Sequence, residues 1–90
     1  MWGVRARVAA ASGSRPGSIS AVVEVELPDG REGIIYLRRL ARRPREARAR
    51  LLRGGVLAVE LIDEHGSGFA CCVVDAKELR IPWWRGSRRP

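Results

Sequence analysis

The chain contains no asparagine, glutamine or threonine, one lysine and one histidine among its 90 residues. Each shortage closes a class of chemistry. His65 and the adjacent pair Cys71 and Cys72 cannot supply the four spaced Cys/His ligands of a structural zinc site. Nucleophilic catalysis needs a nucleophile, a base and an orienting acid, and the lone His65 sits between Glu64 and Gly66 in a stretch with turn composition. The carboxylate pairs Asp63-Glu64 and Glu24/Glu26 read as solvated strand edges, with no enclosed site around them. Gly13 to Gly17 (GSRPG) has no Lys-Ser/Thr after it and leads into no helix, so it is not a phosphate loop. No enzyme activity, metal, cofactor or small-molecule substrate is expected.

No apolar stretch approaches the roughly 18 residues of a membrane span, and no membrane partner is expected. Arg5 and Arg7 interrupt what would be the apolar region of a secretory leader. Neighbouring side chains on a strand point to opposite faces, so adjacent cysteines do not form an ordinary disulfide. They read as small hydrophobes of a buried strand in a reducing compartment. The expected location is cytoplasmic, with nucleoid association compatible.

What is abundant is arginine. It supplies 16 of the 17 basic residues against 10 acids, for a net charge of +7 and a pI near 11.2. This balance favours a polyanionic or acidic partner. Abundant Arg, Ala and Gly also match GC-rich coding, and missing deamidation-prone amides match a thermophile. The expected source is archaeal, with part of the arginine excess set by codon usage. At 90 residues and 46% apolar content the chain should fold as one domain with a modest core.

Residues 2–10 alternate, with Trp2, Val4, Ala6, Val8 and Ala10 on one face and Arg5 and Arg7 on the other, as a half-buried strand does. Residues 11–18 are a polar Gly/Ser/Pro loop. A second strand over 19–27 turns Ile19, Ala21, Val23, Val25 and Leu27 inward and Glu24 and Glu26 outward. Pro28-Asp29-Gly30 is turn chemistry, and a third strand returns over 31–38. Pro44 suits the first turn of a helix and Gly54-Gly55 its end, while Ala47 with Leu51 and Arg48 with Leu52 are i, i+4 pairs. A fourth strand over 56–63, a loop over 64–68 and a fifth strand over 69–75 follow. The continuous apolar run FACCVV suggests burial on both faces. No internal repeat is evident. The domain is expected to span 1–81, with a basic, Trp-containing tail over 82–90.

The predicted order β-β-β-α-β-β resembles the OB-fold, a mainly β, five-stranded antiparallel barrel with its helix between strands three and four. An SH3-like barrel or an open α+β sheet are the alternatives. The stretch FACCVVDAKELRI also resembles the late strand of the small OB-type subunit of archaeal and eukaryotic RNA polymerases. That resemblance implies an assembly role.

Between residues 38 and 53 eight arginines stand against one acid, Glu46. On a helix, Arg45, Arg48 and Arg53 would share one broad side while Arg42, Arg43 and Arg50 fan around the rest. With Arg38 and Arg39 before them and Arg85, Arg88 and Arg89 in the tail, they form the expected nucleic-acid contact set, since guanidinium groups pair bidentately with phosphates. Tyr36 on the third strand and Arg15 in the first loop lie where OB-folds stack and clamp single strands. Against that, Glu24, Glu26 and Glu32 would repel phosphates from the first hairpin. Trp83 and Trp84 are expected to dock on a partner. The leading expectation is a small nucleic-acid-associated DNA- or RNA-binding module. Its rival is a protein-interaction subunit of a replication or transcription complex with little nucleic-acid contact of its own.

Overall fold

A computed structural model describes residues 4–79. Six strands run in chain order: β1 Arg5–Ser12, β2 Ile19–Glu26, β3 Glu32–Leu40, β4 Glu46–Leu52, β5 Val56–Ile62 and β6 Gly68–Asp75. A 3-10 turn over Ala76–Glu78 follows them. All pairing is antiparallel, in two three-stranded sheets ordered β1-β2-β3 and β4-β5-β6.

This corrects the expected architecture. There is no helix over 44–53, and the described residues form neither a closed five-stranded barrel nor an α+β sheet. The segment read as a helix is β4. Its sequence EARARLL alternates, with Ala47 buried and Ala49 half-buried between exposed Arg48 and Arg50. Spacing i, i+4 is even, so Ala47 and Leu51 share a face on a strand as well as on a helix. A helix of that length is also marginal unless a broad apolar face is buried. The glycines that looked like a helix stop belong to a hairpin. Gly54 and Gly55 have φ of 85° and 77°, and Leu52 pairs with Val56 across a three-residue connection.

One core joins the sheets. It takes Ile19, Ala21, Val23, Val25 and Leu27 from β2 and its end, Ile35 from β3, and Leu57, Val59 and Leu61 from β5. These central strands bury alternate residues almost completely, so truncating Leu57 or Val23 to alanine would cost about 2–4 kcal/mol. Part-buried Val4 before β1, Ala6 and Val8 of β1 and Cys72 and Val74 of β6 pack against this core from the edges. The other face of β6 is open. Val73 is 66% exposed and Cys71 is exposed, which overturns the expectation that FACCVV is buried on both faces.

Aspartates start the tight connections. Asp29 Oδ1 accepts from the Arg31 main-chain N–H at 3.0 Å, Asp63 Oδ1 from those of His65 and Ser67, and Asp75 Oδ1 from that of Lys77. In the β1–β2 loop only glycine fits at position 13. Its φ is +92°, and a Cβ there would lie 2.6 Å from the Ser18 carbonyl oxygen.

The two sheets repeat one topology. Arg7 stands opposite Glu24 in the first, and Arg48 opposite Glu60 in the second. Val23 and Val25 flank Glu24 as Val59 and Leu61 flank Glu60, all four inward and buried. β1 and β4, each an outer strand of its own sheet, lie side by side without a ladder between them. Residues 41–45 carry the chain from one sheet to the other, with Pro44 buried in the crossing.

Candidate functional site

On β4 the outward residues are Glu46, Arg48, Arg50 and Leu52. Strand geometry sets the two arginine Cα atoms roughly 6.6 Å apart on one face. Arg45 precedes the strand and Arg53 lies in its hairpin turn, both exposed. Arg48 and Arg50 thus share one strand face, in place of the fan around a helix that the sequence suggests.

Arg38 and Arg39 lie just before the end of β3 at a bulge, where two residues of that strand oppose Ser20 of β2. Arg39 has φ of 56°, the only positive φ among described residues other than glycine. The left-handed conformation is costly for a Cβ-bearing residue. Here it bends the strand end, and both arginines reach solvent.

Arg42 and Arg43 are structurally committed. Arg42 Nη1 donates to Asp63 Oδ2 at 2.8 Å, while Arg43 donates from Nε to the Gly13 carbonyl and from Nη2 to that of Ala11. They tie the crossing segment to the β5–β6 loop and to the end of β1. Asp63 is 4% exposed. Its carboxyl is held below the ordinary carboxylate range, chiefly by the Ser67 N–H, helped by the His65 N–H and Arg42 and opposed by burial. His65 points outward and lies 3.5 Å from Glu64, with both side chains about four-fifths exposed.

Of the other expected site residues, Arg15 is exposed in the β1–β2 loop, where its carbonyl accepts from Ser18. Tyr36 is 47% exposed on β3, opposite Val22 and away from the β4 row. Trp83, Trp84, Arg85, Arg88 and Arg89 lie outside the described residues, as does Trp2, expected in the core. Tyr36 and Arg15 belong to the β1-β2-β3 half of the molecule, whereas Arg48 and Arg50 lie on β4 of the other sheet.

Two of the four acids of the acidic hairpin, Glu24 and Asp29, are ion-paired. Arg7 Nε meets Glu24 Oε1 at 2.8 Å, and Arg31 Nε meets Asp29 Oδ2 at 2.7 Å. By contrast, Arg38, Arg39, Arg45, Arg48 and Arg53 form no ion pair among the described residues. Arg5 is the site residue that sequence reasoning missed. It lines a groove between β1 and β4 together with Arg48 and Arg50. Its outward position was legible from the alternation of β1, but its closeness to β4 is not a local property.

The two cysteines are free. Cys72 packs toward the core, and burial pushes its thiol pKa up, with a smaller push from Cys71. Among the described residues no helix is long and apolar enough to cross a membrane. Compared with known proteins, the chain matches no family model, no curated protein and no solved structure.

Proposed function

We propose that the chain is a small, non-catalytic module that associates with nucleic acid by holding backbone phosphates on arginines. One observation carries this reading: the arginines of the 38–53 segment divide into two kinds. Arg42 and Arg43 are spent on Asp63 and on main-chain carbonyls. Arg38, Arg39, Arg45, Arg48 and Arg53 stand exposed and without a carboxylate among the described residues. Surface cations placed only for solubility gain from nearby acids, and ten acids are present in the chain. Exposed guanidinium groups without a carboxylate, such as those of Arg38, Arg39, Arg45, Arg48 and Arg53, instead suit an external anion with several charges.

Such contacts position a ligand without reading its sequence. Specificity for a base sequence is therefore not expected. Binding should instead fall steeply with salt, because each neutralised phosphate releases counterions. Four to six contacts give a log–log slope of roughly −3 to −5. Fluorescence anisotropy with random-sequence DNA and RNA across a salt series measures it. Replacing Arg48 and Arg53 together by Glu should flatten the slope by roughly two. Absence of binding at low salt, or a slope near zero, overturns the reading.

A further inference from the structure

The two sheets correspond residue by residue, not only in topology. Leu27 and Asp63 open their hairpins with the same pair of main-chain bonds. The Leu27 N–H donates to the Arg31 carbonyl at 2.8 Å and the Asp63 N–H to that of Ser67 at 2.9 Å. The Gly30 and Gly66 N–H groups donate back to the carbonyls of Leu27 and Asp63, each at 3.0 Å. Both glycines are left-handed, with φ of 90° and 82°. Beyond these turns Ala6 pairs with Val25 as Ala47 pairs with Leu61, and Val23 faces Ile35 as Val59 faces Cys72. The repeat is hard to see in sequence because the β1–β2 loop covers residues 13–18, whereas 53–55 suffice between β4 and β5.

Each sheet is one continuous stretch of chain, 5–40 and 46–75, and the two meet through the apolar side chains of a shared core. Apolar packing does not specify which molecule supplies the second sheet, so the same sheet of another copy fits equally. Residues 41–45 make the return from one sheet to the other. They are pinned on both sides, by the Gly17 N–H on the Leu40 carbonyl at 2.8 Å and by the Arg45 N–H on the Ile62 carbonyl at 2.7 Å. Within this short crossing the buried Pro44 has a fixed φ, and just before it Arg39 is held in the left-handed region. Short connections under strain favour exchange over closure on the same chain. We propose that the chain trades halves with a second copy of itself, the β4-β5-β6 sheet of each molecule packing on the β1-β2-β3 sheet of the other, with residues 41–45 as the hinge. The closed chain and the exchanged dimer then share one core and differ at the hinge. Two copies of net charge +7 repel each other, so added salt should favour the dimer. Phosphate binding has the opposite salt dependence, and the two readings fail separately.

The test is light scattering on the full chain after refolding at rising concentration, up to about 1 mM, the effective concentration of a short linker. The dimer share should rise with concentration and with salt, and the dimer should revert slowly on dilution because its core must open first. Amide shifts of the labelled dimer should match those of the monomer except near residues 39–46, since every other contact is kept. Deleting Ala41 should raise the dimer share roughly tenfold or more, because a shorter hinge cannot close on its own chain. Inserting Gly-Ser-Gly-Ser after Ala41 should lower it by a similar factor, and this variant decides the matter where the deletion does not fold. A chain that stays monomeric at every concentration and salt overturns the proposal. So does a dimer whose shift differences lie away from the hinge, which marks association of outer surfaces, or a dimer share that the insertion leaves unchanged.

Discussion

Arg48 stands directly across the β4–β5 ladder from Glu60, and the two side chains do not form an ion pair. The equivalent pair of the other sheet, Arg7 and Glu24, is closed at 2.8 Å. The difference lies at Gly68. A Cβ there would come 2.7 Å from Glu60 Oε2, so the glycine leaves the space into which the carboxylate turns. Arg48 is thereby left without a carboxylate among the described residues.

Two substitutions follow from this arrangement. Gly68→Ala should displace the flexible Glu60 carboxylate toward Arg48 and weaken oligonucleotide binding, with stability changed by less than about 0.5 kcal/mol. Glu60→Gln should strengthen binding by about two- to fivefold, the scale of one exposed charge interaction. Anisotropy titrations at low salt, paired with thermal melts, measure both. Unchanged affinity in both variants would show that Arg48 does not contact the ligand.

Much of the fold is written in local patterns. The inward set of β2, from Ile19 to Leu27, alternates without exception, and its burial follows that alternation residue by residue. The turn at Pro28-Asp29-Gly30 forms through the Asp29 side chain, as its composition predicts. β4 was hidden for a specific reason. Its apolar positions at 47 and 51 satisfy both periods, and Pro44 and Gly54-Gly55 punctuate a hairpin as readily as a helix. In β6 a continuous apolar run leaves open whether anything covers its second face, and exposed Val73 shows a face that is uncovered. The site was legible as charge but not as chemistry. Nothing near Arg42 or Arg43 in sequence announces Asp63 or the carbonyls of Ala11 and Gly13, because those contacts span 21 to 32 residues.

Arg39 offers a separation of stability from binding. Its left-handed backbone, φ 56°, disfavours any residue with a Cβ. Arg39→Gly should stabilise the fold by roughly 1 kcal/mol, less the entropy that glycine gains when unfolded. The same change removes one unpaired guanidinium, so the salt slope should fall by about one. Denaturant unfolding and a salt series on the same variant decide it. A destabilised Arg39→Gly variant would mean that the arginine side chain holds the bulge in place.

Asp63 ties the β5–β6 loop to the sheet crossing, and it should set part of the acid sensitivity of the fold. Its carboxylate accepts from the Ser67 and His65 N–H groups and from Arg42, and these donors lower its pKa in the folded chain. A carboxyl whose folded pKa lies below its unfolded value stabilises the fold fully above the unfolded pKa, near 3.9. That contribution fades as pH falls through the folded value, because the unfolded chain takes up the proton first. Asp29 is lowered for the same kind of reason, by the Arg31 N–H and guanidinium, and acts in the same direction. Asp63→Asn keeps the size of the side chain but removes the charge that Arg42 meets. Its melting temperature should lie below that of the natural chain near neutral pH, and the gap should narrow as pH drops below about 4. Asp29→Asn, on an exposed turn, should show a smaller gap over the same range. Melts followed by circular dichroism between about pH 2 and pH 7 cover the window. A gap for Asp63→Asn that stays constant with pH would assign the role of Asp63 to hydrogen-bond geometry alone and not to its charge.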